Sequence, residues 1–178
     1  MAKEKIYKEF KSRKLHLGCG EKYRGGWVNQ DIGDRDIYGN KIKVDIIHDL
    51  DKFPYPFPDN YFEEVFMDQV LEHLDNPQRV VKELVRICRN GAIIKIQTPH
   101  FSHFKAFLDP THKHFFSLYS IDVLRNGCRV IERKYDISDN KFVRAVGKLF
   151  TIRPLFYERF LHGIFPVMGN IWVLKVEK

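Results

Sequence analysis

Four short apolar runs in the first seventy residues each stop on a glycine or a carboxylate, and that punctuation limits the folds open to the chain. Lys14 to Leu17 runs into Gly18-Cys19-Gly20, Trp27 to Asp31 and Val44 to Asp49 each end on an acid, and Glu64 to Asp68 does the same. Pro54, Pro56 and Pro58 make the segment before the fourth run extended, since proline cannot continue a helix. Between the fourth run and a fifth, Ala92 to Gln97, the pattern changes to a helical one. Asn76 can cap it, Pro77 suits the first helical position, and Val80, Val81, Leu84, Val85, Ile87 and Cys88 form its apolar stripe, with Asn90-Gly91 as the stop. A short helix over Ser120 to Asn126, a sixth strand over Val130 to Ile137 and a seventh over Ile171 to Val176 complete the order. Alternating strand and helix predicts an α/β doubly wound sheet whose ligand lies beyond the carboxyl ends of the strands.

Those ends carry Gly18, Gly20, Asp31, Asp49, Asp68 and Thr98-Pro99-His100. A glycine turn lets a ligand approach the backbone, and the acids behind it can accept hydrogen bonds from sugar hydroxyls or an amino group. A dinucleotide fingerprint needs a third glycine three residues after Gly20, where this chain has Tyr23, and no Gly-Lys-Ser or Gly-Lys-Thr phosphate loop is present. The pocket therefore reads as one for a nucleoside without a diphosphate.

Charge narrows the partners. Thirty Lys and Arg against 23 Asp and Glu give +7 in 178 residues, yet residues 15–139 carry −2, residues 1–14 and 140–170 carry +4 each, and the last eight carry +1. The excess is confined to an N-terminal lead and one late segment, which disfavours a chain coated in phosphate-binding side chains. Cys19, Cys88 and Cys128 are odd in number and far apart, as expected in a reducing compartment. Met1 to Lys14 lacks a signal peptide's apolar stretch, and no run approaches the roughly 20 apolar residues of a membrane span. Cytoplasmic location is the expectation.

Leu15 to Gly20, Gly26 to Asp31, His48-Asp49-Leu50, Phe57 to Phe62, Gln69 to Leu74 and Arg86 to Gly91, in that order, resemble class I S-adenosylmethionine-dependent methyltransferases of the type 11 group. The resemblance runs from about residue 14 to 137. It implies a Rossmann-like, mostly parallel seven-stranded sheet with helices on both faces, in a single domain over 1–178 with a basic lead at 1–13. It also implies S-adenosylmethionine as cofactor and S-adenosylhomocysteine as product. Leu17, Gly18, Cys19 and Gly20 would lie under the methionine part, Asp31 with Ile32 at the ribose, Asp49 with Leu50 near the adenine, and Asp68 with Gln69 beside the donated methyl. The chain departs from the family at His16, where an acid is usual, and at Lys22, where a glycine is usual. Only ten residues separate Gly20 from Asp31, so the first helix is short or missing.

Methyl transfer asks the protein mainly for alignment, and a base near neutral pH helps an oxygen or nitrogen nucleophile. His73, His100 and His112 are the candidate catalytic residues; packing among Phe101, Phe104, Phe107, Phe115 and Phe116 is the alternative for the last two. Some relatives in quinone biosynthesis and small-RNA methylation place Glu, Glu and His at the positions of Gln69, Glu72 and His73 and bind a divalent ion. Gln69 removes one of those charges, so no metal is expected. Between the last two strands lies a basic, aromatic helical insertion at 140–170, with Phe142, Val146 and Phe150 on one helical face and Lys141, Arg144 and Lys148 on another. Its Pro154-Leu155-Phe156-Tyr157-Glu158-Arg159 and Phe165-Pro166 resemble a stretch of small methyltransferases often associated with surface-glycan pathways. Cap, interface or membrane contact are the readings of this insertion.

The sequence thus predicts methyl transfer to a small-molecule or glycan-linked acceptor. A cofactor-binding regulator without catalysis and an RNA methyltransferase are the alternatives, nucleic acid being disfavoured by the charge partition. Peripheral membrane contact and a homodimer remain open.

Overall fold

The computed structural model describes residues 10, 12–36, 38–138 and 140–178. The basic lead expected at 1–13 lies outside the described residues except for Phe10, Ser12 and Arg13. Seven strands form one sheet: β1 Lys14–Leu17, β2 Val28–Asp31, β3 Ile46–Ile47, β4 Phe62–Asp68, β5 Cys88–Pro99, β6 Cys128–Asp136 and β7 Gly169–Val176. Their order is β3-β2-β1-β4-β5-β7-β6, and only β7 runs antiparallel to its neighbours. Chain order reverses at β1, between β2 and β4, so the crevice expected of a doubly wound sheet opens over the carboxyl ends of β1, β2 and β4.

The helices are α1 Pro77–Ile87, α2 Lys105–Leu108, α3 Ile121–Leu124, α4 Lys141–Thr151 and α5 Pro154–Phe156, the last leading into a π turn over Tyr157–Leu161. Helix α1 begins as its sequence dictates, the Asn76 side chain accepting a hydrogen bond from the Arg79 N–H at 2.9 Å. Val80, Val81, Leu84 and Ile87 are fully buried against the sheet, worth roughly 1.5–3 kcal/mol each. Its end differs from the expected glycine stop. The chain turns extended at Cys88, which is fully buried in β5, and Asn90-Gly91 become an irregularity inside that strand, where the pairing register with β4 shifts.

Strand alternation gives the sheet two unlike faces. Val65, Met67, Ile94, Ile96, Trp172 and Leu174 point to the core under α1. Glu64, Lys95, Val173 and Lys175 point the other way and stay partly exposed. Right-handed crossovers from β1 to β2 and from β2 to β3 would lay helices on that second face, but neither connection contains a helix among the described residues. The first helix is thus absent among the described residues, as the short connection after Gly20 implied. Ten residues between Gly20 and Asp31 are too few for a helix and its two connections, and side chains do the work instead. Asn29 accepts from the Arg24 N–H at 2.8 Å and donates to Arg24 O, Trp27 O and the Asp45 carboxylate. Arg24 then lies 3.9 Å over the Phe66 ring, closing the sheet above Phe66 and His16.

Candidate active site

Gly18 and Gly20 both take positive φ, +60° and +48°. At Gly18 a Cβ would come 2.3 Å from Val70 Cγ2, so the turn must be bare there. At Gly20 a Cβ would meet nothing within 4 Å, leaving open space over the backbone. Leu17 is buried at the end of β1, and the Cys19 thiol is buried too, its pKa pushed up to about 11 by burial and then by the nearby Asp31. Cys19 is therefore a neutral packing group in the turn.

The Asp31 carboxylate holds this turn in place. One oxygen accepts from the Gly20 N–H and the other from the Ile32 N–H, both at 2.7 Å. A carboxylate has about four acceptor sites, so lone pairs remain for ligand hydroxyls. The Ile32 side chain beside it is 70% exposed, an apolar surface at the mouth of the crevice. Gln30, which sequence reasoning passed over, is fully buried; its side chain accepts from the Gly18 N–H at 3.3 Å and donates to His48 O, tying the ends of β1 and β3 together. A polar residue in the middle of a short parallel strand was the available signal.

Asp49 turns the chain after β3, its carboxylate accepting from the Asp51 N–H. Leu50, expected beside it near the adenine, follows directly. Its side chain is buried in the main core and its carbonyl accepts from Tyr55 Oη at 3.0 Å, so only its backbone can border a ligand at the expected place.

Asp68 ends β4 with its carboxylate 3.0 Å from Lys22 Nζ, a contact that reaches from the glycine turn across to β4. The next residue, Gln69, sits at φ +57°, an uncommon backbone state for a side chain that bends the chain away from the strand. Asp68 and Gln69 open onto a cavity of about 270 Å³ whose other polar walls include Gln97, Thr98, Lys105 and Asp136. A larger groove of about 960 Å³ runs along α1 and α3 and includes none of the turn, strand-end or histidine residues named above.

None of the three candidate histidines lines the small cavity. His100 is fully enclosed; Nδ1 is 2.8 Å from Ser102 Oγ and Nε2 3.3 Å from a Glu158 carboxylate oxygen. Both ring nitrogens are occupied, and the catalytic expectation for His100 gives way to a packing and anchoring role. Glu158 also accepts from the Leu118 N–H and lies 3.3 Å from Tyr135 Oη. Burial pushes this carboxyl up, but the hydrogen bonds from His100 and Leu118 outweigh it and hold the group below the usual range.

His73 and His112 stand together, rings 4.6 Å apart and edge to face. His73 Nδ1 is 2.9 Å from Thr111 Oγ1, and His112 Nδ1 donates to Ala106 O at 2.8 Å, which leaves each Nε2 free. Burial, and next to it His112, lowers the pKa of His73. Fully buried beside them is Glu72, whose carboxylate oxygens meet no donor and whose pKa burial pushes up to about 8. Potential ligand atoms of Glu72, His73 and His112 all lie within 4.8 Å of one another. Two imidazoles and a carboxylate form a donor set suited to a divalent transition metal.

Residues 15–96 match the family model of the type 11 methyltransferase domain. No match is found among curated protein sequences. Among solved structures, an S-adenosylmethionine-dependent methyltransferase from Archaeoglobus fulgidus is similar at TM-score 0.61 and 19% identity, over 98% of this chain and 90% of that one. One from Mesorhizobium loti gives TM-score 0.63 and 14% identity over 98% and 95%. A Haemonchus contortus N-methyltransferase, solved with phosphomonomethylethanolamine and S-adenosylhomocysteine, gives TM-score 0.59 and 14% identity over 99% of this chain and 52% of that one.

Proposed function

We infer that the chain is a class I S-adenosylmethionine-dependent methyltransferase of the type 11 group, a reading supported by the domain match over residues 15–96 and the shared fold, and we propose that it methylates a small polar or glycan-linked acceptor held in the cavity beside Asp68. The observation that carries this reading is adjacency. The bare glycine turn, held by Asp31 and Gln30, and the cavity walled by Asp68, Gln69, Lys105 and Asp136 meet at Asp68, which Lys22 contacts from the turn.

S-adenosylmethionine supplies a methyl group on a sulfonium sulfur, and its transfer needs the acceptor atom, the methyl carbon and the sulfur in line. The open backbone at Gly20, the free lone pairs of Asp31 and the exposed Ile32 support its nucleoside and methionine parts lying along β1 and β2. Asp68 and Asp136 are the carboxylates placed to take the proton that an attacking hydroxyl or amine loses. At about 270 Å³ the cavity is at the small end for ligand pockets, which favours a compact acceptor. The thiols of Cys19, Cys88 and Cys128 are free, which supports a cytoplasmic site of action.

The test is calorimetric titration with S-adenosylmethionine and S-adenosylhomocysteine, followed by turnover over a panel of hydroxylated and amino acceptors. Absence of binding overturns the reading, and binding with no turnover on any acceptor favours a regulator.

A second reading concerns Glu72, His73 and His112. A buried carboxylate with no donor needs a proton or a cation, and this set fits a divalent ion held by Glu72 and the two Nε2 atoms. Thermal shifts with Co²⁺ or Zn²⁺ that vanish in Glu72→Gln support it; equal shifts in both proteins discard it.

A further inference from the structure

The insertion between β6 and β7 turns an unusual surface outward. On α4 only Gly147 is buried, and it must be glycine, since a Cβ would lie 2.4 Å from Ile137 and 2.7 Å from Phe165. That close approach sets which side of α4 faces inward, with Val146 and Phe150 beside it. The expected face of Phe142, Val146 and Phe150 is therefore split, and Phe142 is 76% exposed. Leu149, Ile152, Leu155 and Phe160 are likewise mostly exposed, and Ile164 is 72% exposed. The rings of Phe156 and Phe160 pack 4.9 Å apart as a projecting pair.

Charge on the same segment has one sign. Lys141, Lys148, Arg153 and Arg159 are exposed, and none of them forms an ion pair with a carboxylate among the described residues. The lone acid of 140–170, Glu158, is turned inward onto His100 and Leu118. Large apolar side chains among unneutralised cations define the composition of a surface that lies in an anionic membrane interface. A twofold contact with a second copy would bring like cations together. The aliphatic share, Leu149, Ile152, Leu155 and Ile164, suits acyl chains better than stacked bases.

We propose that α4, α5 and the π turn seat this protein on an anionic phospholipid surface. Pro99, Asp136 and Gly169 are aligned across β5, β6 and β7, so the insertion leaves the sheet at the same end as the small cavity. Docking through the insertion then holds the acceptor cavity near the plane of the lipid headgroups and favours acceptors that reside there.

Sedimentation of the full chain with phosphatidylcholine vesicles, with and without phosphatidylglycerol, tests this. Partition is expected only onto the phosphatidylglycerol vesicles and should weaken with added salt. Lys148→Ala should lower the partition coefficient roughly five-fold, and the Phe142→Ser, Phe160→Ser pair should lower it at least ten-fold with every cation retained. Donor binding measured by calorimetry should stay unchanged in both variants, so a failure here is distinct from a failure of the methyltransferase reading. No partition onto anionic vesicles overturns the proposal, as does partition that neither variant reduces. A concentration-dependent dimer abolished by the Phe pair would assign the face to a second copy and overturn it equally.

Discussion

Gly18 sits where a methyl group has no room, 2.3 Å from Val70, and at a φ that side chains avoid. Gly18→Ala should cost about 1–3 kcal/mol of stability through strain and overpacking and lower donor affinity at least ten-fold, read by thermal melting and calorimetry. Glu72 makes a prediction of opposite character. Its carboxyl, pushed up to about 8 by burial, holds a proton in the folded state that the unfolded chain releases near 4.5. Stability should therefore fall as pH rises from about 4.5 to about 8 in the absence of divalent metal. Glu72→Gln should flatten that slope in melts across the window, and an unchanged slope would remove Glu72 as its source. Gly18, Gly20 and Asp31 were legible in the sequence because a turn between adjacent strands is local. Gln30, Lys22 and Asp136 were not, because their roles depend on which strands lie side by side. The surroundings of His100 were hidden for the same reason: its position along the chain is plain, but its contact with the distant Glu158 is not.

At the scale of elements, the insertion is anchored by the half-buried Glu158 carboxylate together with the fully buried Tyr157 ring, which packs against Tyr135 and His100. Glu158→Ala leaves the Leu118 N–H and His100 without their partner, at a cost of about 1–3 kcal/mol, and should raise proteolysis within 140–165 more than it weakens donor binding. Equal loss of both would mean that the insertion is part of the folding core. Because hydrogen bonding holds Glu158 below its unfolded pKa, the anchor should be present above that unfolded value and lost as pH falls through the folded one. Helix α1 was readable from its Asn76 cap and apolar period, but its last turn was not. Cys88 satisfies both a helical stripe and a buried strand, and only pairing with Phe62 decides between them.

For the whole molecule, donor binding to the folded state should raise the melting temperature, with about 2.7 kcal/mol of stabilisation at a hundred-fold excess over Kd. Differential scanning fluorimetry with S-adenosylhomocysteine checks this without any acceptor. The doubly wound, seven-stranded sheet was legible as an expectation from motif order, whereas the side chains that cover Phe66 and His16 were not, since the sequence showed a short connection but not what would replace a helix. The helix-free connection after β1 has an electrostatic consequence at the turn. With no helix starting after Gly20, no helix dipole points its positive end at the ligand, a device on which phosphate-binding turns rely. Lys22, exposed and in contact with Asp68, is a positive charge at the turn that can meet an anionic group there. Donor affinity in this protein should accordingly depend on ionic strength through Lys22, and Lys22→Gln should weaken that dependence in calorimetric titrations at rising salt.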